Sequence, residues 1–210
     1  MEFVNNKRCV IVAAGEAESE GFIKSNISKN DFVIAADAGY LALERAGIIP
    51  DLTVGDFDSA KKPEFCSEII TLNPVKDCTD TEFAIEQAVE RGYNNISVIG
   101  ALGGRIDHSY ANITLIVKYK NQGVNIVLLG EKQKIYALKN ETVRIKKLNS
   151  YVSLFAFSHE CTVTLEGMFY PLNNYILSPF CDLGVSNEVS EKTGKIITSG
   201  GVLIVMEVSK

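Results

Sequence analysis

The stretch ISVIGALGGRIDH, residues Ile96–His108, contains the pattern on which the fold prediction rests. It begins with a short continuous apolar run, Ile96–Gly100, and passes through a glycine-rich turn into a segment with helical spacing, His108–Asn121. A continuous apolar run of this length is typical of a strand that is buried on both faces of a parallel sheet. The stretch therefore predicts a strand, a glycine loop and a helix in succession.

The same order recurs through the first 130 residues. Further buried strands are predicted at Cys9–Ala14, Phe32–Asp37, Ile69–Leu72 and Asn125–Gly130. Helices are predicted at Gly39–Ala46 and Asp80–Arg91, since each is followed by a glycine that can adopt the positive φ of a helix end. Alternation of this kind predicts an α/β fold, a Rossmann-like and mostly parallel sheet with flanking helices.

The remaining 80 residues have a different texture, without helical periodicity. Short β-rich runs are separated by turn residues: Val143–Ile145, Tyr151–Phe157, Thr162–Leu165, Tyr175–Leu177 and Val202–Val208. We therefore expect a boundary near Gly130, with an α/β domain over residues 1–130 and a small antiparallel β-sandwich or barrel over 131–210.

Composition argues against several classes of protein. The formal net charge is -5 and the pI is near 5.2, which predicts no nucleic-acid partner, because a phosphate backbone requires a concentrated basic surface. No run approaches the roughly 20 apolar residues of a membrane span, so no membrane partner is expected either. The five cysteines form no CxxC pair, which is consistent with reduced thiols and a cytoplasmic location.

Four segments combine acidic residues or glycines with a position just after a predicted strand. They are AADAG (Ala35–Gly39), GDFDS (Gly55–Ser59), KDCTD (Lys76–Asp80) and GALGGRIDH (Gly100–His108). Ligand sites of open α/β sheets collect at the carboxyl ends of strands, so we expect the segments to meet in one crevice.

The carboxylates of these segments predict a divalent cation. Asp56 and Asp58 lie two residues apart, so on an extended backbone both point to one side. Asp77 and Asp80 lie three apart at the start of a helix, and Asp37 adds a fifth carboxylate. Carboxylates this close repel one another unless a cation neutralises them, and oxygen ligands alone favour Mg²⁺ together with substrate phosphates.

The glycines of Gly100–His108 supply the complementary part, because they let backbone N–H groups approach a phosphate while Arg105 offers a planar cationic fork. The segment is neither a Walker A loop nor a dinucleotide fingerprint. Simpler readings stay open: Asp37 and Asp107 are also ordinary turn residues, Arg105 could pair with Asp107, and Lys76 could be solvated. His108 and His159 have no partner at metal-ligand spacing, so zinc is not expected.

In this order and spacing, AADAG, GDFDS, DCTD and GGRIDH resemble the thiamine pyrophosphokinase family, and GVSNEV (Gly184–Val189) resembles that family's late Ser-Asn segment. The resemblance implies a homodimer with an N-terminal domain for ATP and Mg²⁺ and a C-terminal domain that contributes to thiamine binding. It implies Mg²⁺ ligation and catalysis by Asp56, Asp58, Asp77 and Asp80, with Arg105 and Asp107 also catalytic. Nucleotide contacts are implied for Asp37, Lys76, Thr79, Arg105, Asp107 and His108, and thiamine contacts for Ser186 and Asn187.

The activity implied by the resemblance is transfer of diphosphate from ATP to the hydroxyl of thiamine, with AMP as the second product. Two alternatives stay open from the residues: a pyrophosphokinase acting on another small alcohol, and a non-catalytic sensor of thiamine or nucleotide. The general base is also open, with Asp107 and the acids of the metal set as candidates.

Overall fold

The computed structural model describes residues 7–15, 18–57, 66–73 and 77–210. The chain divides into two compact units. The N-terminal unit comprises the described residues of Asn5–Leu115 and Val124–Glu131, and the C-terminal unit comprises Ile116–Gly123 and Lys132–Lys210. The predicted boundary at Gly130 lies one residue before the end of the N-terminal unit.

The described part of the N-terminal unit contains six parallel strands. They are β1 (Arg8–Val12), β2 (Phe32–Ala36), β3 (Leu52–Gly55), β4 (Glu68–Thr71), β5 (Asn95–Ile99) and β6 (Asn125–Leu129). Their spatial order is β6-β5-β1-β2-β3-β4, and every pairing is parallel. The central strands are almost entirely buried, which confirms the mostly parallel, doubly covered sheet expected from their continuous apolar runs.

Four helices accompany these strands in the described residues: α1 (Glu20–Asn26), α2 (Gly39–Arg45), α3 (Asp80–Glu90) and α4 (Ile106–Lys120). The hydroxyl of Thr79 accepts a hydrogen bond from the Glu82 N–H at 3.1 Å, so α3 begins where the capping pattern predicted. Gly47 and Gly92 have φ of 67° and 85°, the conformation expected of a glycine after a helix.

Two elements of this unit were not predicted, and one strand differs from expectation. Helix α1 and strand β3 lie in segments for which the sequence analysis named no element. Strand β4 was expected to be buried on both faces, but three of its four residues are exposed. This expectation was wrong because β4 is the edge strand of the sheet and has a neighbour, β3, on one side.

The strand order reverses at β1 in a way that positions a ligand site. From β1 the chain builds outward through β2, β3 and β4, and then returns to the other side of β1 to form β5 and β6. A sheet of this kind has a crevice at its switch point, beyond the carboxyl ends of the strands. The four segments singled out in the sequence follow β2, β3, β4 and β5, so the described residues of all four lie at this one edge.

The C-terminal unit is an antiparallel sheet. Its strands in the described residues are β7 (Gln133–Leu138), β8 (Glu141–Lys146), β9 (Ser150–Glu166), β10 (Leu172–Leu177) and β11 (Thr193–Ser209). Strand β11 pairs with β7 and β8 along different halves and with β9 along most of its length. The prediction of separate runs within Tyr151–Leu165 was wrong, because β9 continues through the exposed residues 158–160 and pairs with β11 on both sides of them, with a shift of register between.

No helix in the described residues has the length and apolar character needed to cross a membrane. All five cysteines lie in the described part of the chain, and no disulfide joins them.

Candidate active site

A crevice of about 350 Å³ opens in the N-terminal unit beyond the carboxyl ends of β1, β2 and β5. Its walls come from these strand ends and from the first turns of α3 and α4. It is lined by Ala13, Ala14, Gly15, Ala36, Asp37, Thr79, Asp80, Thr81, Gly100, Ala101, Gly103, Gly104, Arg105, His108 and Asn112. The crevice thus occupies the switch point of the sheet.

Backbone forms the floor of the crevice. The Gly15 N–H donates a hydrogen bond to the Gly100 carbonyl at 2.9 Å, so the turns after β1 and β5 touch directly. A Cβ on Gly15 would lie 2.1 Å from that carbonyl oxygen, and one on Gly100 would lie 2.6 Å from the Ala13 oxygen. Gly100 also has a φ of 71°, so glycine is required here by both space and backbone conformation.

Asp37 enters the crevice from the end of β2. Its φ is 51°, a left-handed conformation that turns the chain sharply before α2. The Asp37 N–H donates to the Val54 carbonyl at 2.7 Å, which ties this turn to the neighbouring strand β3. Asp56, two residues after Val54, therefore follows a strand end that adjoins Asp37.

Thr79 and Asp80 enter from the start of α3. Thr79 is the N-cap residue and Asp80 is the first residue of the helix. Asp80 gains from the positive end of the helix dipole, which stabilises a carboxylate in the first turn. The first turn of α3 therefore places one carboxylate and the hydroxyl that caps the helix on the crevice wall.

Arg105 and Asp107 form an exposed, bidentate ion pair beside the glycine loop. Arg105 Nε lies 3.1 Å from Asp107 Oδ1, and Nη2 lies 2.5 Å from Oδ2. The hydrogen bonds from Arg105 lower the pKa of Asp107, and Asp107 in turn raises the pKa of Arg105. Because Asp107 is held ionised, it is a weak proton acceptor, and its geometry suits the task of holding Arg105.

Asn112 was missed by the sequence reasoning. It is buried on the second turn of α4, and its Nδ2 donates to the Ala101 carbonyl at 2.8 Å. This bond fixes the glycine loop onto the helix that follows it. The Gly15 contact was missed as well, since both depend on the approach of distant backbone segments. The position of Asn112 on α4, opposite a loop of small residues, was the one available signal.

The residues predicted to bind the nucleotide or the metal divide into three groups. Asp37, Thr79, Asp80, Arg105 and His108 line the crevice. Asp56, Asp77 and Asp107 lie at the same edge of the sheet but do not line it. Asp58 and Lys76 lie outside the described residues.

The donor set of the crevice is compatible with magnesium. Among the residues that the structure describes, no three side chains of His, Cys, Asp and Glu are grouped as a complete metal-ligand set. The crevice does bring the carboxylates of Asp37 and Asp80 together with glycine backbone and Arg105. Mg²⁺ commonly takes one or two carboxylates and completes its shell with water and substrate phosphates, so these oxygen donors fit it.

Ser186 and Asn187 lie in the C-terminal unit. Ser186 is exposed and has a φ of 60°, and its N–H donates a hydrogen bond to the Ser153 hydroxyl oxygen at 3.1 Å. Asn187 is buried, with its side chain bonded to the backbone of Tyr170 and Glu188. A ligand could therefore reach the side chain of Ser186, whereas that of Asn187 is buried and already hydrogen-bonded.

The fold and the crevice define an α/β protein with a glycine-lined crevice at the switch point of a parallel sheet, the place where open sheets of this kind bind their ligands. The family model described as thiamin pyrophosphokinase, catalytic domain, matches residues 23–128, and that described as thiamin pyrophosphokinase, vitamin B1 binding domain, matches residues 136–203. The chain belongs to the thiamin pyrophosphokinase family.

Known proteins match this chain over nearly its whole length. The thiamine pyrophosphokinase of Bacillus subtilis (strain 168) is 30% identical over 205 residues, which is 93% of this chain and 96% of the relative. The crystal structure of the Bacillus subtilis protein matches with a TM-score of 0.87 at 29% identity, covering 97% of this chain and 100% of that one. The thiamin pyrophosphokinase of Geobacillus thermodenitrificans matches with a TM-score of 0.84 at 28% identity, covering 97% and 98%.

Proposed function

We propose that the crevice binds the triphosphate of ATP and that the described acids and Arg105 carry the transfer of diphosphate to thiamine. As a member of its family, the chain is an enzyme that forms thiamine diphosphate from thiamine and ATP. The observation that carries the proposal is the convergence of Asp37, Asp80, Arg105 and the glycine loop on one crevice at the switch point.

In this proposal the glycine loop receives the phosphates. Gly103 and Gly104 carry no side chain that would keep a phosphate away from the backbone N–H groups. Arg105 is exposed and pairs with Asp107 through a planar fork, the geometry that also suits a phosphate. A bound triphosphate would compete with Asp107 for the guanidinium, so we infer that Asp107 keeps Arg105 oriented before the nucleotide arrives.

Magnesium is the proposed cofactor, held by the predicted set Asp56, Asp58, Asp77 and Asp80, with Asp37 as a further carboxylate of the crevice. When bound, Mg²⁺ supplies charge neutralisation for the phosphate oxygens. The acidic residues themselves orient the nucleotide tail, and Arg105 stabilises the charge that develops as AMP departs. The reaction forms a bond from the thiamine oxygen to the β-phosphorus and breaks the bond between that phosphorus and the oxygen bridging to the α-phosphate.

Thiamine binding is assigned to the C-terminal unit, with Ser186 and Asn187 as its predicted residues. Support comes from the family description of residues 136–203 as a vitamin B1 binding domain. The exposed hydroxyl of Ser186, on a backbone fixed by Ser153, is suited to a direct polar contact.

A homodimer and a cytoplasmic location complete the proposal. Large apolar side chains are exposed on the C-terminal unit, among them Phe180 at 99% and Ile176 at 60%, and such residues favour burial against a partner. The absence of disulfides among the five cysteines is consistent with a reducing compartment. Light scattering of the purified chain measures the oligomeric state.

The decisive experiment replaces Asp80 with Asn and measures AMP and thiamine diphosphate by mass spectrometry after incubation with ATP, Mg²⁺ and thiamine. Loss of one carboxylate from a metal–phosphate site should reduce turnover by about 100-fold or more, in the range seen when one electrostatic contact of a transition state is removed. It should also raise the Mg²⁺ concentration needed for half-maximal rate.

Glu86→Gln is the matched control, because Glu86 is on the same helix and does not line the crevice. Its rate should remain close to that of the wild-type protein. Equal rates for Asp80→Asn and Glu86→Gln would contradict the role of the crevice. Thiamine binding without any AMP release from the wild-type protein would favour the sensor, and AMP release with another alcohol alone would favour a different substrate.

A further inference from the structure

Asn112 has one half of its side-chain amide fixed by the glycine loop. The residue lies on α4 and lines the crevice, although only 8% of it is exposed. Its Nδ2 donates to the Ala101 carbonyl at 2.8 Å. Because a carbonyl oxygen accepts and never donates, this bond also fixes which way round the amide lies. The NH2 group is directed at the loop, and Oδ1 is the half of the amide left for another contact.

The Oδ1 atom of Asn112 accepts no hydrogen bond from any residue that the structure describes. It is also not sealed inside the protein, since Thr198 Oγ1 is the one fully buried side-chain polar atom without a partner among the described residues. Asn112 is a crevice residue, so the accessible surface of Oδ1 opens onto the crevice. Buried polar groups are almost always hydrogen-bonded, and an acceptor held in this way is therefore suited to a donor on a ligand.

The chemistry of Oδ1 selects one end of the nucleotide. Phosphate oxygens are themselves acceptors, so Oδ1 does not suit the triphosphate, which the proposed function places at the glycine loop and Arg105. The nucleoside end of ATP does carry donors: the 2′-hydroxyl, the 3′-hydroxyl and the 6-amino group of the base. All of these are neutral, as is the asparagine amide. Thiamine carries donors as well, but its binding is assigned to the C-terminal unit, whereas Asn112 belongs to the N-terminal unit.

We propose that Asn112 is a specificity-determining residue whose Oδ1 accepts a hydrogen bond from a donor on the nucleoside of the nucleotide, a role that rests on the proposed function of the crevice. The bond to Ala101 holds the acceptor in place before the nucleotide arrives, so little side-chain freedom is lost on binding. A nucleotide without the matching donor leaves a mostly buried acceptor unpaired, and this penalty discriminates against it. One amide thus joins support of the glycine loop to recognition of the nucleoside.

The test compares kcat/KM for ATP, 2′-deoxyATP, 3′-deoxyATP and the triphosphate of purine riboside, which lacks the 6-amino group. Formation of thiamine diphosphate by the full-length protein is the readout, because this product is common to all the nucleotides. The wild-type protein should use one analogue about three- to tenfold less efficiently than ATP, the factor that one neutral hydrogen bond gives. That analogue identifies the donor. In Asn112→Ala the ratio of kcat/KM for ATP to that for the same analogue should fall to about one.

Ser109→Ala is the matched control for loosening of the loop. Ser109 Oγ donates to the Gly103 carbonyl at 3.3 Å and to the Arg105 carbonyl at 3.4 Å, and Ser109 does not line the crevice. Its loss removes a second side-chain support of the same loop and leaves Oδ1 of Asn112 in place. We expect kcat/KM to fall by the same factor for every nucleotide, with the ratio kept. Loss of the ratio in Ser109→Ala as well would mean that loop position sets the discrimination, which would overturn the proposal.

The wild-type protein alone can overturn the proposal, whether or not Asn112→Ala folds. Equal use of ATP and all the analogues would do so, because no donor of the nucleoside would then be read. A ratio that survives in Asn112→Ala, or a selective rise in KM for thiamine in that variant, would also overturn it. If the wild-type protein forms no thiamine diphosphate, the proposed reaction fails, and the calorimetric affinities of wild type and Asn112→Ala for ATP and the analogues then decide on the contact.

Discussion

Two glycines in short helices of the N-terminal unit should respond oppositely to the same substitution. Gly39 begins α2, and a Cβ there would lie 2.0 Å from the Val12 carbonyl oxygen and 2.7 Å from the Val12 carbonyl carbon. Gly21 is the second residue of α1, and a Cβ there would meet no atom within 4 Å. The pair therefore isolates the effect of backbone crowding from that of helix propensity.

The two substitutions should change the free energy of unfolding in opposite directions. At Gly21, alanine lowers the conformational freedom of the unfolded chain and should stabilise by about 0.4–1 kcal/mol. At Gly39 the clash is with the backbone of β1 and no side-chain rotation relieves it, so α2 must move away from the sheet. Overpacking of this kind costs about 1–3 kcal/mol. For a chain of this size, 1 kcal/mol corresponds to a shift in Tm of about 2–4 °C.

Thermal unfolding monitored by circular dichroism gives the comparison, with KM for ATP measured on the same samples. Gly39→Ala should lower Tm and raise KM for ATP, since Asp37 precedes α2 in the crevice wall. Gly21→Ala should raise Tm slightly and leave KM for ATP unchanged. A Gly39→Ala protein with a Tm at or above that of the wild type would refute the close approach of α2 to β1.

Two further predictions use the caps and the ion pair of the same unit. Thr79→Ala removes the cap of α3 and should lower the free energy of unfolding by about 0.5–2 kcal/mol while raising KM for ATP. Ser19→Ala removes the cap of α1 and should lower the free energy of unfolding alone. Urea unfolding measures the stability, and AMP release measures KM for ATP. Because Arg105 lowers the pKa of Asp107, the contribution of this pair to stability is present above the ordinary aspartate pKa of about 3.9 and is lost as the pH falls through the lower folded value. An NMR titration of the Asp107 carboxyl should shift to higher pH in Arg105→Gln, and an unchanged titration would contradict the pairing.

The strands of the N-terminal sheet were predictable where burial is uniform. The runs Cys9–Ala14, Phe32–Asp37, Ile96–Gly100 and Asn125–Gly130 each contain a strand of the structure within one or two residues. Strand β3 was missed because LTVG is only four residues long and follows a proline and an aspartate that read as a turn. Its burial depends on neighbours from distant parts of the chain.

In the C-terminal unit, the local sequence pattern did not predict where the strands begin and end. Strand β11 runs for 17 residues through Gly200 and Gly201, where the sequence favours a break. The pairing with β9 shifts its register at this point and then resumes at Val202, so the glycines mark an irregularity within one strand. A single sequence cannot separate a bulge from a turn there, because the difference lies in the partner strand.

The sequence predicted which types of residue line the candidate site, but it did not predict the contacts that hold the glycine loop in place. Aspartate, arginine and glycine at strand ends carry a chemical signal that is visible in sequence, and five of the predicted residues line the crevice. Asn112 and Gly15 act by touching backbone from another segment, and that contact has no local sequence signature. The amide of Asn187 belongs to the same class, because it is bonded to the backbone of Tyr170.

The proposed function assigns the two units to different substrates. In the proposed function the crevice offers glycine backbone and Arg105 to a triphosphate, which carries charge along its whole length and must approach N–H groups closely. Ser186 and Asn187, the residues proposed for thiamine, lie in the C-terminal unit, where Asn187 is buried. In each case a buried amide does the supporting work: Asn112 fixes the glycine loop, and Asn187 fixes Tyr170. Since these supports lie in separate compact units, their loss should affect KM for one substrate at a time.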